Sequence, residues 1–385
     1  MKIGVIKERR AHEARVAVSP ETVKKLIALG TELAIETGAG AAASFADAAL
    51  AAAGATIVPD AAAALADADI VLKVQRPTTA AEGGADELAL IKPGALLIGI
   101  LSPHGSRDLI AAYAARGVDA FAMELLPRIT RAQTMDVLSS QSNLAGYKAV
   151  LDAAAEYGRG FPLMMTAAGT VPPARVLVMG AGVAGLQAIA TARRLGAMVS
   201  ATDVRPAAKE QVASLGASFV AVEDEEFKQA ETAGGYAKEM SDAYKQKQAA
   251  LVAETIRKQD VVITTALIPG RPAPKLIDEA MVRSMKPGSV IVDLAVEQGG
   301  NCALARPGEI VVVDGVKIVG HLNVPSRLAE VASALYAKNL LNFLTPLFDK
   351  TSKALAIDWN DEIVKGTLLT HGGKIVHPAF AGGGA

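Results

Sequence analysis

The 385-residue sequence has one cysteine, one tryptophan and few aromatic residues of any kind, 4% of the chain. The single cysteine, Cys302, excludes an internal disulfide and fits a reducing compartment. Net charge is nearly absent: 39 Lys and Arg against 40 Asp and Glu leave −1, so no basic surface argues for nucleic acid. Five histidines, at 12, 104, 321, 371 and 377, show no metal-ligand spacing, and no metal site is expected. The N-terminal MKIGVIKERR is a strand followed by charges, not a signal peptide. Long apolar runs are missing too. Residues 176–192 lack charge, but they hold three glycines and fall short of the roughly 20 residues of a membrane span. They read as strand plus buried helix in a soluble chain.

What is present is an alternation of strands and helices. About half the residues, 51%, are hydrophobic, enough for the cores of two domains. Towards the N-terminus KIGVI, ELAIE, DIVLKV, ALLIGIL and VDAFA have strand length, with helical stretches such as SRDLIAAYAARG between them. Ser19-Pro20-Glu21 opens a helix with a cap, a proline and an early acid, and Gly30 ends it. A second set of strands, DVVITTA, SVIVDLA and the VKIVG run, belongs to a unit beginning near residue 145. Between them, 222–247 is charged, broken by Gly234-Gly235, and reads as a long polar loop, which is usually functional or disordered. A long amphipathic helix follows from about 326, then a hairpin around Gly372-Gly373. The predicted class is α/β, with two doubly wound parallel-sheet (Rossmann-like) domains. The second domain, 145–324, is inserted in the first, 1–144 and 325–385.

The most informative stretch is ARVLVMGAGVAGLQAIATARRLGAMVSATDVR, 174–205. It reads strand, glycine turn, helix, strand, acid, the order of a dinucleotide-binding unit. Gly180 allows a tight turn, Gly182 lets backbone approach a pyrophosphate, and Gly185 permits close packing of helix on strand. A helix-forming segment follows, and the free N–H groups and partial positive charge of its N-terminus suit phosphate. Asp203 suits the hydroxyls of the adenosine ribose and repels a 2′-phosphate, so NAD(H) is preferred to NADP(H).

A second polar group precedes a helical pattern that runs to about Tyr157. Gln133, Asp136 and Ser139 are spaced i, i+3, i+6, one face if the segment is helical. An amide, an acid and a hydroxyl complement the donor and acceptor of a nicotinamide carboxamide, and Arg128 suits a phosphate or the same carboxamide. On spacing alone a solvated capping segment is the plainer reading.

These residues together resemble, along the whole chain, the NAD(H)-binding component (domain I) of proton-translocating nicotinamide nucleotide transhydrogenase. The resemblance is carried by RITRAQTMDVLSSQSNLAGY (128–147), MTAAGTVPPARVLVMGAGVAGLQAIATARRLGA (165–197), ETAGGYAKEM (231–240) and TTALIPGRPAP (264–274). It implies that Arg128, Gln133, Asp136 and Ser139 form the catalytic-site loop. Gly235 and Tyr236 lie in the family's mobile loop, which closes on nucleotide. Val183, Val204, Arg205, Ala266 and Leu267, within or beside these motifs, complete the expected nucleotide contacts. The resemblance further implies a homodimer. It also implies an NADP(H)-binding component that receives hydride, and a membrane-spanning component that conducts protons. In many family members the chain continues into membrane helices; this one ends at Ala385 and looks like the split form, cytoplasmic and peripheral on the cytoplasmic face of a bacterial inner membrane.

Alanine dehydrogenases share the architecture, and KERRAHEARVAVSPETV resembles their N-terminus. In them an Arg, a Lys and a His handle pyruvate. Arg15 and Lys73 match the first two, but the His position, just after ALLIGIL, is Ser102, with His104 two residues on. Arg15 and Lys73 are then expected to be leftovers of a shared ancestral site or members of local ion pairs. A soluble dehydrogenase of that type, or an NAD(H)-binding module without catalysis, is the alternative.

Overall fold

The computed structural model describes residues 1–228, 241–268 and 270–382. The chain divides into two compact units, Met1–Gln141 with Ser326–Ala385, and Ser142–Pro325.

In the first unit β1 (Lys2–Val5), β2 (Glu32–Glu36), β3 (Thr56–Val58), β4 (Ile70–Gln75), β5 (Leu96–Ile100) and β6 (Asp119–Ala122) form a parallel sheet of order β3-β2-β1-β4-β5-β6. β1 lies inside it, with Ile3 opposite Leu33 on one side and Ile70 on the other. All three residues are buried, as a two-faced parallel strand requires. Both predicted helix signals at 19–30 act. Ser19 and Thr22 form a reciprocal capping box on the helix Pro20–Ala28. Gly30 takes φ +91, with Lys353 side-chain carbons 2.8 Å from where a Cβ would stand. The helix Ala329–Leu344 returns to this unit and buries Tyr336, Leu340, Phe343 and Leu344, with the Phe343 ring edge-on to Phe121 at 5.6 Å. The strand β3 has no counterpart among the predicted strands: it has three residues, none fully buried, and so no apolar run to betray it.

The second unit opens with a hairpin, β7 (Met164–Thr166) and β8 (Gly169–Val171), whose residues are all exposed. Then β9 (Arg175–Met179), β10 (Met198–Thr202), β11 (Ser218–Phe219), β12 (Val261–Thr264), β13 (Val290–Asp293), β14 (Ile310–Val313) and β15 (Val316–Val319) form a sheet of order β11-β10-β9-β12-β13-β15-β14. Among these described strands only β14 runs antiparallel. The core strands read as continuous Val and Ile because helices cover both faces. Back in the first unit, β16 (Thr370–His371) and β17 (Lys374–Ile375) are the predicted C-terminal hairpin, with Gly372 and Gly373 at positive φ in its turn.

The polar stretch 222–247 is not one loop. Residues from 242 onward start the helix Asp242–Ile256, capped by Ser241, whose side chain accepts from the Tyr244 N–H. Its apolar face is narrow, Tyr244, Val252 and Ile256, which hid it in the sequence. The ring of Tyr244 stacks on Phe227 at 6.4 Å, and Glu226 accepts from the Ser241 amide and hydroxyl. Gly234, Gly235 and Tyr236 lie outside the described residues.

Candidate functional site

In the second unit the chain lays β9, β10 and β11 outward in one direction, then returns to place β12 on the other side of β9. This reversal leaves a crevice at the carboxyl ends of β9 and β12, where ligands bind in such sheets. Three segments meet this edge: Gly180–Gly182 after β9, Asp203 after β10, and Thr265–Leu267 after β12.

Each fingerprint glycine answers a different steric demand. Gly180 has φ +104, and a Cβ there would lie 2.6 Å from Thr265 Oγ1. At Gly185 a Cβ would lie 1.7 Å from the Gly180 carbonyl oxygen, so only hydrogen lets the helix Val183–Arg194 pack on the turn. A Cβ on Gly182 would meet no neighbouring atom within 4 Å among the described residues. The freedom at Gly182 is therefore not spent on the protein, and a ligand backbone fits the space. Gly182 is also the N-cap of the helix, with no side chain capping it, so the first amides of Val183 and Ala184 are open to an anion. These features fit a pyrophosphate.

Asp203 is engaged more heavily than the sequence suggests. Oδ2 accepts from the Ala181 N–H at 2.7 Å and from Arg205 Nη2 at 3.0 Å. Oδ1 accepts from the Arg205 N–H and Nε, both at 2.9 Å. Two oxygens offer about four lone-pair sites, and here all four are filled. The expected ribose contact thus requires the Arg205 side chain to swing away. That side chain is 29% exposed, and Val204 beside it is exposed as well.

On the β12 side, Thr265 ties the two loops together. Its N–H donates to the Met179 carbonyl at 2.9 Å, and its hydroxyl to the Gly180 carbonyl at 3.1 Å. Ala266 is held by Asn301, and Leu267 and Ile268 beyond it are exposed. Sequence reasoning missed Thr265 and Asn301. Thr265 lies inside TTALIPGRPAP but has no chemical signal of its own there, Asn301 belongs to no motif, and only the sheet order brings them to the glycine turn and to Ala266.

In the first unit, Gln133, Asp136 and Ser139 do not share one helical face. Gln133 lies in the 3₁₀ turn Thr130–Met135, Asp136 breaks it at ψ 96, and Ser139 belongs to the helix Val137–Glu156. The reason is capping: Asp136 accepts from the Ser139 N–H at 2.9 Å and from its hydroxyl at 2.5 Å, closing the helix start. Ala132, Met135 and Val137 anchor the segment in the core. From the helix Ala329–Leu344, Asn339 and Asn342 both donate to the Thr134 carbonyl at 2.9 Å. Arg128 and Gln133 stay exposed on this fixed backbone. The segment can present a guanidinium, an amide, and a coupled carboxylate and hydroxyl.

Arg15 and Lys73 are buried in ion pairs. Arg15 binds Glu13 through Nε at 2.8 Å and Nη2 at 2.7 Å, and its Nη1 donates to Gln141 at 2.8 Å. Burial opposes charge on Glu13, but the hydrogen bonds and charge of Arg15 outweigh it and hold this carboxyl at about 2. Lys73 Nζ stands 3.1 Å from Glu8 and 3.0 Å from Glu87. Burial pushes the Glu8 carboxyl up, with Lys73 pulling against it. Ser102 takes φ +50, its amide fastened to Glu124, and the His104 ring packs on Phe380 at 5.2 Å. Each cation that matches a substrate-binding position is thus bound to an internal carboxylate, and His104 faces an aromatic ring.

Among the described residues no group of His, Cys, Asp and Glu can hold a metal, and no helix is long and apolar enough to cross a membrane. Family models match both halves of the chain: "Alanine dehydrogenase/PNT, N-terminal domain" over residues 4–145 and "Alanine dehydrogenase/PNT, C-terminal domain" over 149–378. The chain belongs to the alanine dehydrogenase/PNT family. A Rhodospirillum rubrum protein named as an NAD(P) transhydrogenase subunit alpha is 64% identical over 100% of both chains. A solved transhydrogenase from Sinorhizobium meliloti is 56% identical with a TM-score of 0.88, covering 98% of this chain and 100% of that one. An alanine dehydrogenase of Halomonas elongata is 32% identical over 99% of this chain and 96% of its own.

Proposed function

We propose that this chain is the NAD(H)-binding subunit of a proton-translocating nicotinamide nucleotide transhydrogenase. The reaction is NADH + NADP⁺ ⇌ NAD⁺ + NADPH, with NADP(H) held on a partner subunit and proton movement in a membrane-spanning partner. The observation that carries the reading is the glycine cradle, where Gly180 and Gly185 have no room for a Cβ and Gly182 faces open space. The 64% identity to a transhydrogenase subunit supports this activity over that of the 32% identical alanine dehydrogenase. The ion-paired Arg15 and Lys73 argue the same way.

In this reading Gly180, Gly182, Val183 and Gly185 hold the pyrophosphate, and Asp203, Val204 and Arg205 the adenosine ribose. Ala266 and Leu267 line the nicotinamide side, with Gly235 and Tyr236 covering it. Arg128, Gln133, Asp136 and Ser139 orient the carboxamide and are the catalytic residues. The nucleotide itself supplies the hydride. Passing it between two nicotinamide rings requires no general acid; the residues supply closeness, alignment and exclusion of water. Leu163, Met164, Met165 and Val171 form an exposed apolar hairpin, which supports a homodimer. The chain would sit on the cytoplasmic face of the membrane through its partners alone.

Gly182→Ala and Gly185→Ala test the cradle. Gly182→Ala should leave the free energy of unfolding within about 1 kcal/mol of wild type, the order of a weakened cap. It should weaken NADH binding at least tenfold, because the methyl enters the ligand space. Gly185→Ala should destabilise the fold itself. Unchanged NADH affinity in a folded Gly182→Ala protein defeats the reading.

A further inference from the structure

Resting on that reading of the crevice, we infer that Asn301 is a positioning residue for the nicotinamide side of the site. Asn301 is fully buried, at 0% exposure. Its Oδ1 accepts from the Ala266 N–H at 3.0 Å, and its Nδ2 donates to the Ala266 carbonyl at 2.9 Å. The same Nδ2 donates to the Pro274 carbonyl at 2.8 Å. One side-chain amide thus takes the place of a neighbouring strand for Ala266, where the β12–β13 ladder has ended.

Asn301 is itself held firmly. Its carbonyl accepts from the Leu276 and Ile277 amides at 2.8 and 3.0 Å. The next residue, Cys302, donates its N–H to the buried Asp293 carboxylate at 2.9 Å, which also accepts from Thr264 and Ala295. The clamp therefore runs from the end of β13 through Asn301 to the loop after β12. That loop carries the exposed Leu267 and Ile268 at its tip.

The sheet order tells which half of a dinucleotide this loop meets. Asp203 follows β10 and Ala266 follows β12, on opposite sides of β9. With adenosine at Asp203 and pyrophosphate at the glycine turn, the remaining half must extend over the end of β12. Asn301 touches no ligand; it fixes the backbone that does. Its loss leaves the Ala266 donor and acceptor unsatisfied and lets the loop drift.

The test compares NADH with AMP, which reads the adenosine side alone. In Asn301→Ala, NADH Kd should rise about tenfold while AMP Kd stays within twofold. Asn301→Asp keeps the acceptor for the Ala266 N–H but sets an acceptor oxygen against the Ala266 and Pro274 carbonyls, so it should raise NADH Kd at least as much as Asn301→Ala. In the wild type, amide exchange at Ala266 and Leu267 should slow on adding NADH and not on adding AMP, a result independent of how the variants fold. If the variants lose NADH and AMP equally, or the two amides ignore NADH, Asn301 is merely structural and the inference falls. If wild type binds neither nucleotide, the reading of the crevice falls and this inference with it.

Discussion

Arg205 lies flat against Asp203, its Nε 2.9 Å from Oδ1 and its Nη2 3.0 Å from Oδ2. The Asp203 side chain is 8% exposed and the pair is bidentate, so a ribose that takes over the carboxylate must replace both guanidinium bonds with its own hydroxyls. On the proposed reading the displaced cation would stand beside the 2′ position, where the carboxylate would repel NADPH and, without it, Arg205 would attract the 2′-phosphate.

Asp203→Asn should therefore strengthen NADPH binding about tenfold, roughly 1.4 kcal/mol, and weaken NADH. Adding Arg205→Ala to Asp203→Asn should abolish the NADPH gain. Titration of both nucleotides by their fluorescence checks this. Equal wild-type affinities for NADH and NADPH would sink the assignment of Asp203.

The 128–139 segment should affect rate more than affinity. In Gln133→Asn, Asp136→Asn and Ser139→Ala the pyrophosphate and adenosine contacts remain, so NADH binding should stay within about tenfold of wild type. On the proposed reading the ring would lose its fixed angle, and a misplacement of about 1 Å can cost roughly a hundredfold. Single-turnover transfer to an NADP⁺-loaded partner reads this directly. Asp136→Asn and Ser139→Ala should resemble each other, because the two side chains share one hydrogen bond. Parallel losses of affinity and rate would make these residues structural.

Lys73 should be a stability residue, not a substrate ligand. Lys73→Met strands the Glu8 and Glu87 carboxylates and should cost about 3–5 kcal/mol. The Glu8 carboxyl is already raised above its ordinary 4.5 by burial. Its protonated form is favoured in the fold, so its contribution to stability is present below 4.5 and lost as pH rises through the raised value. Removing Lys73 raises it further, and the penalty should be larger at about pH 8 than at about pH 5. Urea unfolding at the two pH values measures the difference; a pH-independent penalty contradicts it. The same ion pairing predicts no oxidation of alanine by NAD⁺, and turnover on the order of 1 s⁻¹ would restore the dehydrogenase reading.

The hairpin β7–β8 should hold the homodimer. Met165 is 73% exposed and Leu163 53%, two large apolar side chains side by side on one surface. Burying each contributes about 1.5–3 kcal/mol, so Leu163→Asp with Met165→Asp should raise the dimer Kd at least a hundredfold. Sedimentation should show a monomer with its thermal melting and AMP affinity near wild type. A dimer that survives places the interface elsewhere.

Much of the fold was legible in the sequence because its causes are local. Ser19, Pro20 and Gly30 mark a helix by capping and φ preference. Valine and isoleucine runs mark strands buried on both faces, and Gly180, Gly182 and Gly185 mark a turn by what a Cβ would strike. The elements that escaped are those whose signal is not local. β3 and β11 are pieces of three and two residues at sheet edges, and the helix Asp242–Ile256 buries too narrow a face to show a period. The order of strands about β9 follows from which edges pair, and no residue states it. It is that order, joining segments far apart in the chain, that brought Thr265 to Gly180 and Asn301 to Ala266. The same long-range packing closed Lys73 between Glu8 and Glu87, whereas the turn at Gln133, Asp136 and Ser139 is a local cap, the plainer of the two readings its spacing allowed. Local chemistry therefore determined the elements and the glycine turn, while the tertiary structure decided which polar groups can meet a ligand and which are consumed by one another.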